Sequence, residues 1–336
     1  MKLSIVMLAY NHERFIAKAL ESILMQETSF DYEVIVGEDC STDETRKVIK
    51  SYEQKFEKRL KPIYREKNVG ALRNLFDCLE HCTGEYLAFL EGDDYWESPH
   101  KLEMQVSYMG THADCVMCAS NWNIVNIDGI ILNQGLNIQD LQYFSEEQLD
   151  SFELPAQTST LMIKNIYVSV KNKYLKFLKW YAWIPMDRLM VPILLRYGKI
   201  VVLPEITSNY RWYIEEKGNN WSSKHEIAAK SNRLYFYVMT LGLESFSKKT
   251  GLSVNCLDKR VELLCEDLHS RVYAKNRINR ISVYIQALLM ILIEPHRIRL
   301  IRKVADKRRA LHNGTQNSLI SKARQRMVAI CLKFKR

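Results

Sequence analysis

The stretch Gly84-Glu85-Tyr86-Leu87-Ala88-Phe89-Leu90-Glu91-Gly92-Asp93-Asp94-Tyr95-Trp96-Glu97-Ser98-Pro99-His100-Lys101-Leu102 decides how this chain is read. Tyr86 to Leu90 is a short apolar run behind a glycine, the pattern of a strand buried on both faces. It stops abruptly in Glu91-Gly92-Asp93-Asp94, which sets three carboxylates at the carboxyl end of a core strand. Ser98-Pro99 then supplies a helix start, with serine as N-cap and proline at the first helical position. Open α/β sheets bind ligands at the carboxyl ends of their strands, and clustered acids there suit a hard divalent cation that also holds a diphosphate. For an isolated Asp-Asp a solvated acidic turn is the simpler reading. The strand before this pair and the helix after it favour a site.

Upstream the same grammar repeats. Leu3 to Leu8 reads as a buried strand, with Ile16, Ala19, Leu20, Ile23 and Leu24 at helical spacing behind it. A second strand, Glu33 to Gly37, leads into Ser41 and Glu44, a capping-box pattern, and a helix faced by Val48, Ile49, Tyr52 and Phe56. A third strand, Leu60 to Tyr64, precedes a helix carrying Leu72, Leu75, Phe76 and Leu79, with Thr83-Gly84 as a glycine stop. Alternation of this kind with short loops predicts a mostly parallel, doubly wound sheet. Downstream the pattern loosens. Asp114 to Ser120, Ile127 to Leu132, Thr160 to Ile163 and Ile200 to Leu203 read as strands, Met186 to Tyr197 as a helix interrupted at Pro192, and the chain from about Ile227 as helical. The segment Gln134 to Pro155 has no clear pattern.

A chain of 336 residues with 47% hydrophobic and 26% charged content is long enough for one large domain and an appendage. No apolar run approaches the ~20 residues that span a bilayer. The eight cysteines are scattered, which points to reduced thiols in a cytoplasmic protein; Cys115-Val-Met-Cys118 stands alone within an apolar run and reads as core. Charge is unevenly spread. From Arg271 to Arg336 there are 17 Lys/Arg against 2 acids, a net of +15, while the remainder, 31 basic against 37 acidic, carries about −6. A mildly acidic body with a basic tail implies a polyanionic partner for the tail.

Four segments together resemble the family-2 glycosyltransferases: Ser4 to Asn11, Val34 to Asp43, Asn68-Val69-Gly70 with Arg73-Asn74, and Gly84 to Trp96 with Pro99 and Lys101-Leu102. A looser match continues through Asp187 and Tyr210-Arg211. The resemblance implies the GT-A fold, a Rossmann-like sheet flanked by helices, over 1–222, with a helical, basic C-terminal extension over 223–336. It also implies inverting transfer from a nucleotide sugar, UDP- or dTDP-linked. Residue by residue, it assigns Tyr10 to stacking on the base, Asp39 to the N3–H of a pyrimidine, and Arg73 to the ribose or diphosphate. Glu91, Asp93 and Asp94 correspond to the motif that holds Mn²⁺ or Mg²⁺, with Asp93 also touching the donor. Trp96 corresponds to a sugar-pocket position, and Asp187 to the base that deprotonates the acceptor hydroxyl. Glu91 departs from the family's usual aspartate, so Asp93 and Asp94 are expected to dominate. Tyr213 stands where the family often has histidine.

Each assignment has an alternative in ordinary packing: core for Tyr10 and Trp96, helix capping for Asp39 and Asp187, free surface for Arg73. His12 and His225 are expected at the surface. The acceptor implied is a lipid-linked or surface glycan. In the tail, the apolar segment Ile281 to Ile293 followed by Arg297, Arg299, Arg302, Lys303, Lys307, Arg308 and Arg309 suits an anionic membrane surface at the cytoplasmic face, or a helix packed on the body. No nucleic-acid motif accompanies the basic residues. A sugar nucleotidyltransferase and a non-catalytic scaffold of the same fold stand as alternatives. The first would carry a glycine-rich basic loop where this chain has Ala9-Tyr10-Asn11.

Overall fold

The computed structural model describes residues 1–169, 171, 173, 181, 184–213, 233–273, 290–296, 299–304 and 306. The expected boundary at 222, His225 and most of the basic region beyond Arg271 lie outside the described residues. The chain forms two compact units, one of Met1–Ala229 with Met239–Cys256 and one of Lys230–Val238 with Leu257–Arg336.

The first unit is built on strand-helix alternation: β1 (Leu3–Ala9), α1 (Ile16–Leu24), β2 (Tyr32–Glu38), α2 (Thr45–Tyr52), β3 (Leu60–Tyr64), α3 (Ala71–His81) and β4 (Tyr86–Glu91). β1 pairs in parallel with β2 on one side and β4 on the other, in register Leu3 with Tyr32 and Tyr86. A strand flanked on both sides and covered on both faces must be apolar throughout, and Leu3 to Met7 are buried without a break. β3 lies at the sheet edge, which is where its Pro62 is tolerated, because an edge strand can do without one ladder N–H.

Beyond β4 come β5 (Tyr95–Trp96), α4 (Lys101–Thr111), β6 (Cys115–Val125), β7 (Ile131–Gln134), β8 (Gln142–Phe144) and α5 (Glu146–Asp150). A short 3₁₀ turn (Thr158–Thr160), β9 (Met162–Lys164), α6 (Met186–Leu194) and β10 (Lys199–Arg211) complete the sheet. The ten strands run in the order β3-β2-β1-β4-β9-β6-β10-β5, with β7 on β6 and β8 on β10. β6 and β10 are parallel to each other, while β5, β7, β8 and β9 are antiparallel to their partners. The mostly parallel sheet flanked by helices is therefore present.

Local expectations fail in instructive ways. Helix α2 begins at Thr45, whose N–H is capped by the Asp43 carboxylate at 3.0 Å, so Ser41 is not its cap. Ser41 instead accepts the Asn11 N–H across the strand ends. Helix α4 starts at Lys101, and Ser98 Oγ accepts the His100 N–H before it. Gly84 is no helix cap: α3 ends in extended Cys82, and a Cβ at position 84 would lie 2.3 Å from the Ser4 nitrogen. β10 runs for 13 residues, far past Leu203, because register shifts around Ile206 absorb Pro204 and let the strand continue to Arg211. The Ile127 to Leu132 strand is in fact a turn from Asn126 to Ile130 followed by β7.

Two further helices are described, α7 (Arg233–Thr250) and α8 (Leu257–Tyr273). In the second unit, Arg260 Nε donates to Glu294 Oε2 at 2.8 Å and Tyr237 Oη donates to the same oxygen at 2.7 Å, all three side chains buried. All seven described cysteines are free; Cys115 and Cys118 are buried in β6, and burial pushes their thiols up, to about 11 for Cys115. They are core residues.

Candidate functional site

The carboxyl ends of parallel β1, β2 and β4 converge, and each carries sequence-predicted residues. Tyr10 follows β1 with its ring 43% exposed, so it is not core. Asn11 adopts φ 57° and Cys40, after β2, φ 59°. Left-handed backbone is tolerated by asparagine but is costly for cysteine, by about 1–2 kcal/mol. The two turns are stitched together: Asn11 Oδ1 accepts from the Thr42 N–H at 2.8 Å, and the His12 N–H donates to Thr45 Oγ1 at 2.7 Å.

Asp39, buried, uses one oxygen for the Val69 N–H (2.8 Å) and the other for the Gly70 N–H (2.9 Å). It thereby holds the loop that starts α3, where Gly70 has φ 84°. Its sequence-level role as a base acceptor shares those oxygens with the loop. Arg73 is not placed at the strand ends as a free cation. Its side chain is exposed, and its Nε bonds both oxygens of Asp77 one turn along α3, at 2.9 and 3.1 Å. Arg65, at the end of β3, reaches the same Asp77 at 2.8 Å and is far less exposed. Neighbouring Asn74 is buried, donating to the Gly37 carbonyl at 2.7 Å. It is a packing residue.

The acidic turn divides into two kinds of carboxylate. Asp94 is 1% exposed and saturated: Oδ1 accepts the Arg211 N–H at 2.8 Å, and Oδ2 accepts Gln157 Nε2 and Ser159 Oγ, each at 2.7 Å. Arg211 also donates from Nε to the Asp93 carbonyl at 2.8 Å and from its terminal nitrogen to the Asn126 and Ile127 carbonyls. Glu91 and Asp93 are half-buried, and among the described residues no donor reaches either carboxylate. The expectation that Asp94 dominates a metal site therefore meets a physical obstacle. Two donors fill both lone pairs of one oxygen, and the residue is sealed from solvent.

Electrostatics tie the turn to Asp187. Burial, followed by the charges of Asp93, Asp94 and Asp187, pushes Glu91 up to about 8. Burial and Asp93 push Asp94 to about 7 against the pull of its hydrogen bonds. Asp187 lies in the first turn of α6 with Oδ1 accepting the Arg188 N–H at 2.8 Å, and burial raises it too, opposed by the Arg188 charge. The charges of four acids act on one another here, and two of these carboxylates have no donor among the described residues. That is an excess of negative charge with vacant oxygen lone pairs, the donor chemistry a hard divalent cation requires. Among the described residues, no set of three or more His, Cys, Asp or Glu is gathered as a ready ligand cage. Glu91 and Asp93 are the two oxygen donors that fit; Asp94 does not offer itself.

Trp96 is corrected by the structure. Its ring is 1% exposed, its Nε1 donates to the Ser159 carbonyl at 2.7 Å, and Lys101 Nζ sits 4.5 Å from the ring centroid. A side chain so enclosed is core and cannot line a sugar pocket. Lys101 is itself fully buried, pushed down to about 7 by that burial, and donates to Gln105 Oε1 at 2.7 Å. Gln105 Nε2 donates onward to the Thr160 carbonyl. Tyr213, in the place of the family's histidine, is buried with its ring 5.3 Å from that of Phe15.

Three contributors went unnoticed in the sequence. Ser159 donates to Asp94 and accepts the Glu91 N–H at 3.2 Å, and Gln157 backs it, but both fall in a stretch without strand or helix periodicity. His12, expected at the surface, is half-buried. Its Nδ1 is enclosed without a partner among the described residues, and it would lie 2.5 Å from a Cβ on Gly92. Gly92 is thus required by the approach of His12 and of the Leu8 carbonyl to the acidic turn.

Comparisons with known proteins bear on the fold and the family resemblance. The model of the family described as Glycosyl transferase family 2 matches residues 4–165. An uncharacterized protein of Mycobacterium bovis, Mb1547, is 40% identical over 127 residues, 38% of this chain and 37% of that one. The Escherichia coli UDP-Glc:alpha-D-GlcNAc-diphosphoundecaprenol beta-1,3-glucosyltransferase WfgD is 34% identical over 128 residues, 38% of this chain and 48% of that one. The matched stretch thus spans less than half the length of these relatives. Among solved structures, S. aureus TarS 1–349 in complex with UDP superposes with a TM-score of 0.52 at 19% identity, covering 95% of this chain and 93% of that one. At that identity the likeness speaks to the fold, which is GT-A.

Proposed function

We propose, from the match of residues 4–165 to the model of glycosyl transferase family 2, that this chain transfers a sugar from a UDP- or dTDP-linked donor to a hydroxyl of a lipid-linked or surface glycan, with inversion. The observation that carries the reading is the convergence of Tyr10, Asp39 and the Glu91–Asp93 pair at the ends of three parallel strands, with the charge of Asp187 felt at Glu91. WfgD, whose name gives a UDP-glucose donor and a diphosphoundecaprenol-linked acceptor, supports the donor and acceptor classes. So does the UDP held by TarS.

In this reading Tyr10 stacks on the base and Asp39 presents its remaining lone pairs to the pyrimidine edge. Glu91 and Asp93 would hold Mn²⁺ or Mg²⁺, which supplies Lewis-acid neutralisation of charge developing on the diphosphate. Asp187 accepts the acceptor proton as the hydroxyl oxygen bonds to the anomeric carbon. The bond from that carbon to the diphosphate oxygen breaks, and its electron pair leaves with the nucleoside diphosphate. A carboxyl raised by burial is a better base near neutral pH than an ordinary aspartate. Arg73, exposed and paired to Asp77, would have to leave its partner to reach a phosphate.

A panel of nucleotide sugars screened for thermal stabilisation, with and without Mn²⁺, tests donor binding. One pyrimidine-diphosphate sugar should stabilise the chain, and more so with the metal, because a ligand of the folded state raises its apparent stability. Asp187→Asn should keep that stabilisation and lose turnover by ~10²–10⁴-fold. Turnover at the original rate would remove Asp187 from the chemistry.

A further inference from the structure

Three consecutive aliphatic side chains, Ile130, Ile131 and Leu132, are 62%, 56% and 57% exposed. Ile130 closes the turn at the tip of the β6–β7 ribbon, where the Asn126 N–H donates to its carbonyl at 2.9 Å, and Ile131 and Leu132 begin β7. Successive side chains of a strand point to opposite faces. Three exposed in a row therefore leave both faces of the tip bare, unlike the single exposed apolar residues common on any surface. A protein partner with a flat surface would cover one face. A medium that flows around the tip, as the boundary between headgroups and acyl chains does, covers both.

The charge and aromatic setting fits a lipid surface of negative sign. A Cβ on Gly129, in the turn, would lie 3.4 Å from Lys18 Nζ, which rests 3.6 Å from the Tyr95 ring centroid. Arg14, four residues earlier, lies over the Phe15 ring at 5.6 Å. Both cations are exposed, and neither makes an ion pair among the described residues. Trp212, 36% exposed, donates its backbone N–H to the carbonyl of Val125, the last residue of β6 before the turn, at 2.8 Å. Indoles partition to membrane–water interfaces. Asp128 is the acid of this turn and is exposed, so it can stay hydrated.

We propose that the Ile130–Leu132 tip inserts into the headgroup–acyl boundary of an anionic bilayer, with Lys18 and Arg14 against its phosphates. The position matters because Arg211 bonds the Asp93 carbonyl and the Asn126 and Ile127 carbonyls together, so one guanidinium joins the turn of the ribbon to the acidic turn. An inserted tip sets a lipid-borne hydroxyl beside that turn. This last consequence rests on the transferase reading; the insertion does not.

The test uses the full chain and vesicles of phosphatidylglycerol and phosphatidylethanolamine. The chain should float with the vesicles, and the amides of 126–134 should gain protection from hydrogen exchange. Ile131→Asp with Leu132→Asp should lower partition roughly tenfold or more, since two buried aliphatics become charges, with an unchanged melting temperature. Arg14→Glu with Lys18→Glu should weaken binding only to the anionic vesicles. Equal flotation of the double-aspartate variant would put attachment elsewhere in the chain and overturn the proposal, as would a chain that does not float. Protection of 126–134 that grows with protein concentration in the absence of lipid would assign the tip to a second copy instead. Slow hydrolysis of a nucleotide sugar in water separates the two readings. Hydrolysis kept by the double-aspartate variant while flotation is lost supports insertion. A chain that floats but hydrolyses no nucleotide sugar sinks the transferase reading alone.

Discussion

Asp93 and Asp94 are adjacent in the chain and opposite in role. Asp94 turns inward and spends its oxygens on Arg211, Gln157 and Ser159, whereas Asp93 keeps a carboxylate that nothing among the described residues touches. The spacing Glu-Gly-Asp-Asp was legible as an acidic turn, but which acid faces out depended on Ser159, 65 residues away, and no local pattern announces that. Glu91, the departure from the family's aspartate, emerges as one of the two open carboxylates. Its raised proton affinity has a consequence for stability. A carboxyl held near 8 when folded and near 4.5 when unfolded binds more protons in the folded state, so stability is fully present below about 4.5 and is lost as pH rises through about 8. Glu91→Gln should therefore raise the melting temperature at pH 8 and change it little at pH 4.5, while weakening stabilisation by Mn²⁺. A melting temperature that falls equally at both pH values would contradict this account. Glu33 has the reverse sign. Burial pushes it up, but Lys61, Ser4 and Thr83 outweigh burial and bring it to about 2. Its contribution is present above about 4.5 and is lost as pH falls toward 2, so Glu33→Gln should flatten the acid limb of the stability profile.

At the level of elements, the acidic turn is held from three sides: by β4 beneath it, by the end of β10 through Arg211, and by the 3₁₀ turn through Ser159. Ser159→Ala removes a donor to Asp94 and an acceptor for the Glu91 N–H, leaving buried groups unpaired. A cost of about 1–3 kcal/mol follows for such a loss, measurable by urea titration, together with a lower apparent affinity for the nucleotide sugar. An unchanged midpoint would show that the turn stands without the 3₁₀ segment. The strand-helix alternation through β4 was readable because each helix shows a 3.6-residue apolar stripe and each central strand an unbroken apolar run. Caps were read less well. Ser41, Ser98 and Gly84 have the right chemistry for helix ends, yet the structure uses them to join turns or to bring backbones close. β10 was cut short in the reading because a proline usually ends a strand, and bulges that rescue one leave no simple trace in composition.

Across the whole molecule, the first unit supplies a GT-A sheet whose parallel strands end together, and this is what converts scattered residues into one site. Tyr10 and Asp39 were found where the sequence expected them, at the ends of β1 and β2. Trp96 is sealed in the core, and Arg73 is paired on its own helix rather than free at the strand ends. Those two differences share a cause. Aromatic and cationic residues near a motif have equally good partners in packing and in surface ion pairs, and only burial tells them apart. The central claim is that this chain breaks a nucleotide-sugar bond at a site whose open carboxylates are Glu91 and Asp93. It is tested most directly by measuring nucleoside diphosphate release from the stabilising donor by the parent chain, by Asp93→Asn and by Asp94→Asn. Each variant's folded fraction is set by circular dichroism. The parent should release the diphosphate in a Mn²⁺-dependent manner. Asp93→Asn should fold normally and lose at least ~10²-fold in rate, whereas Asp94→Asn should lose stability first. Full activity in Asp93→Asn, or no release by the parent from any nucleotide sugar, would contradict the account.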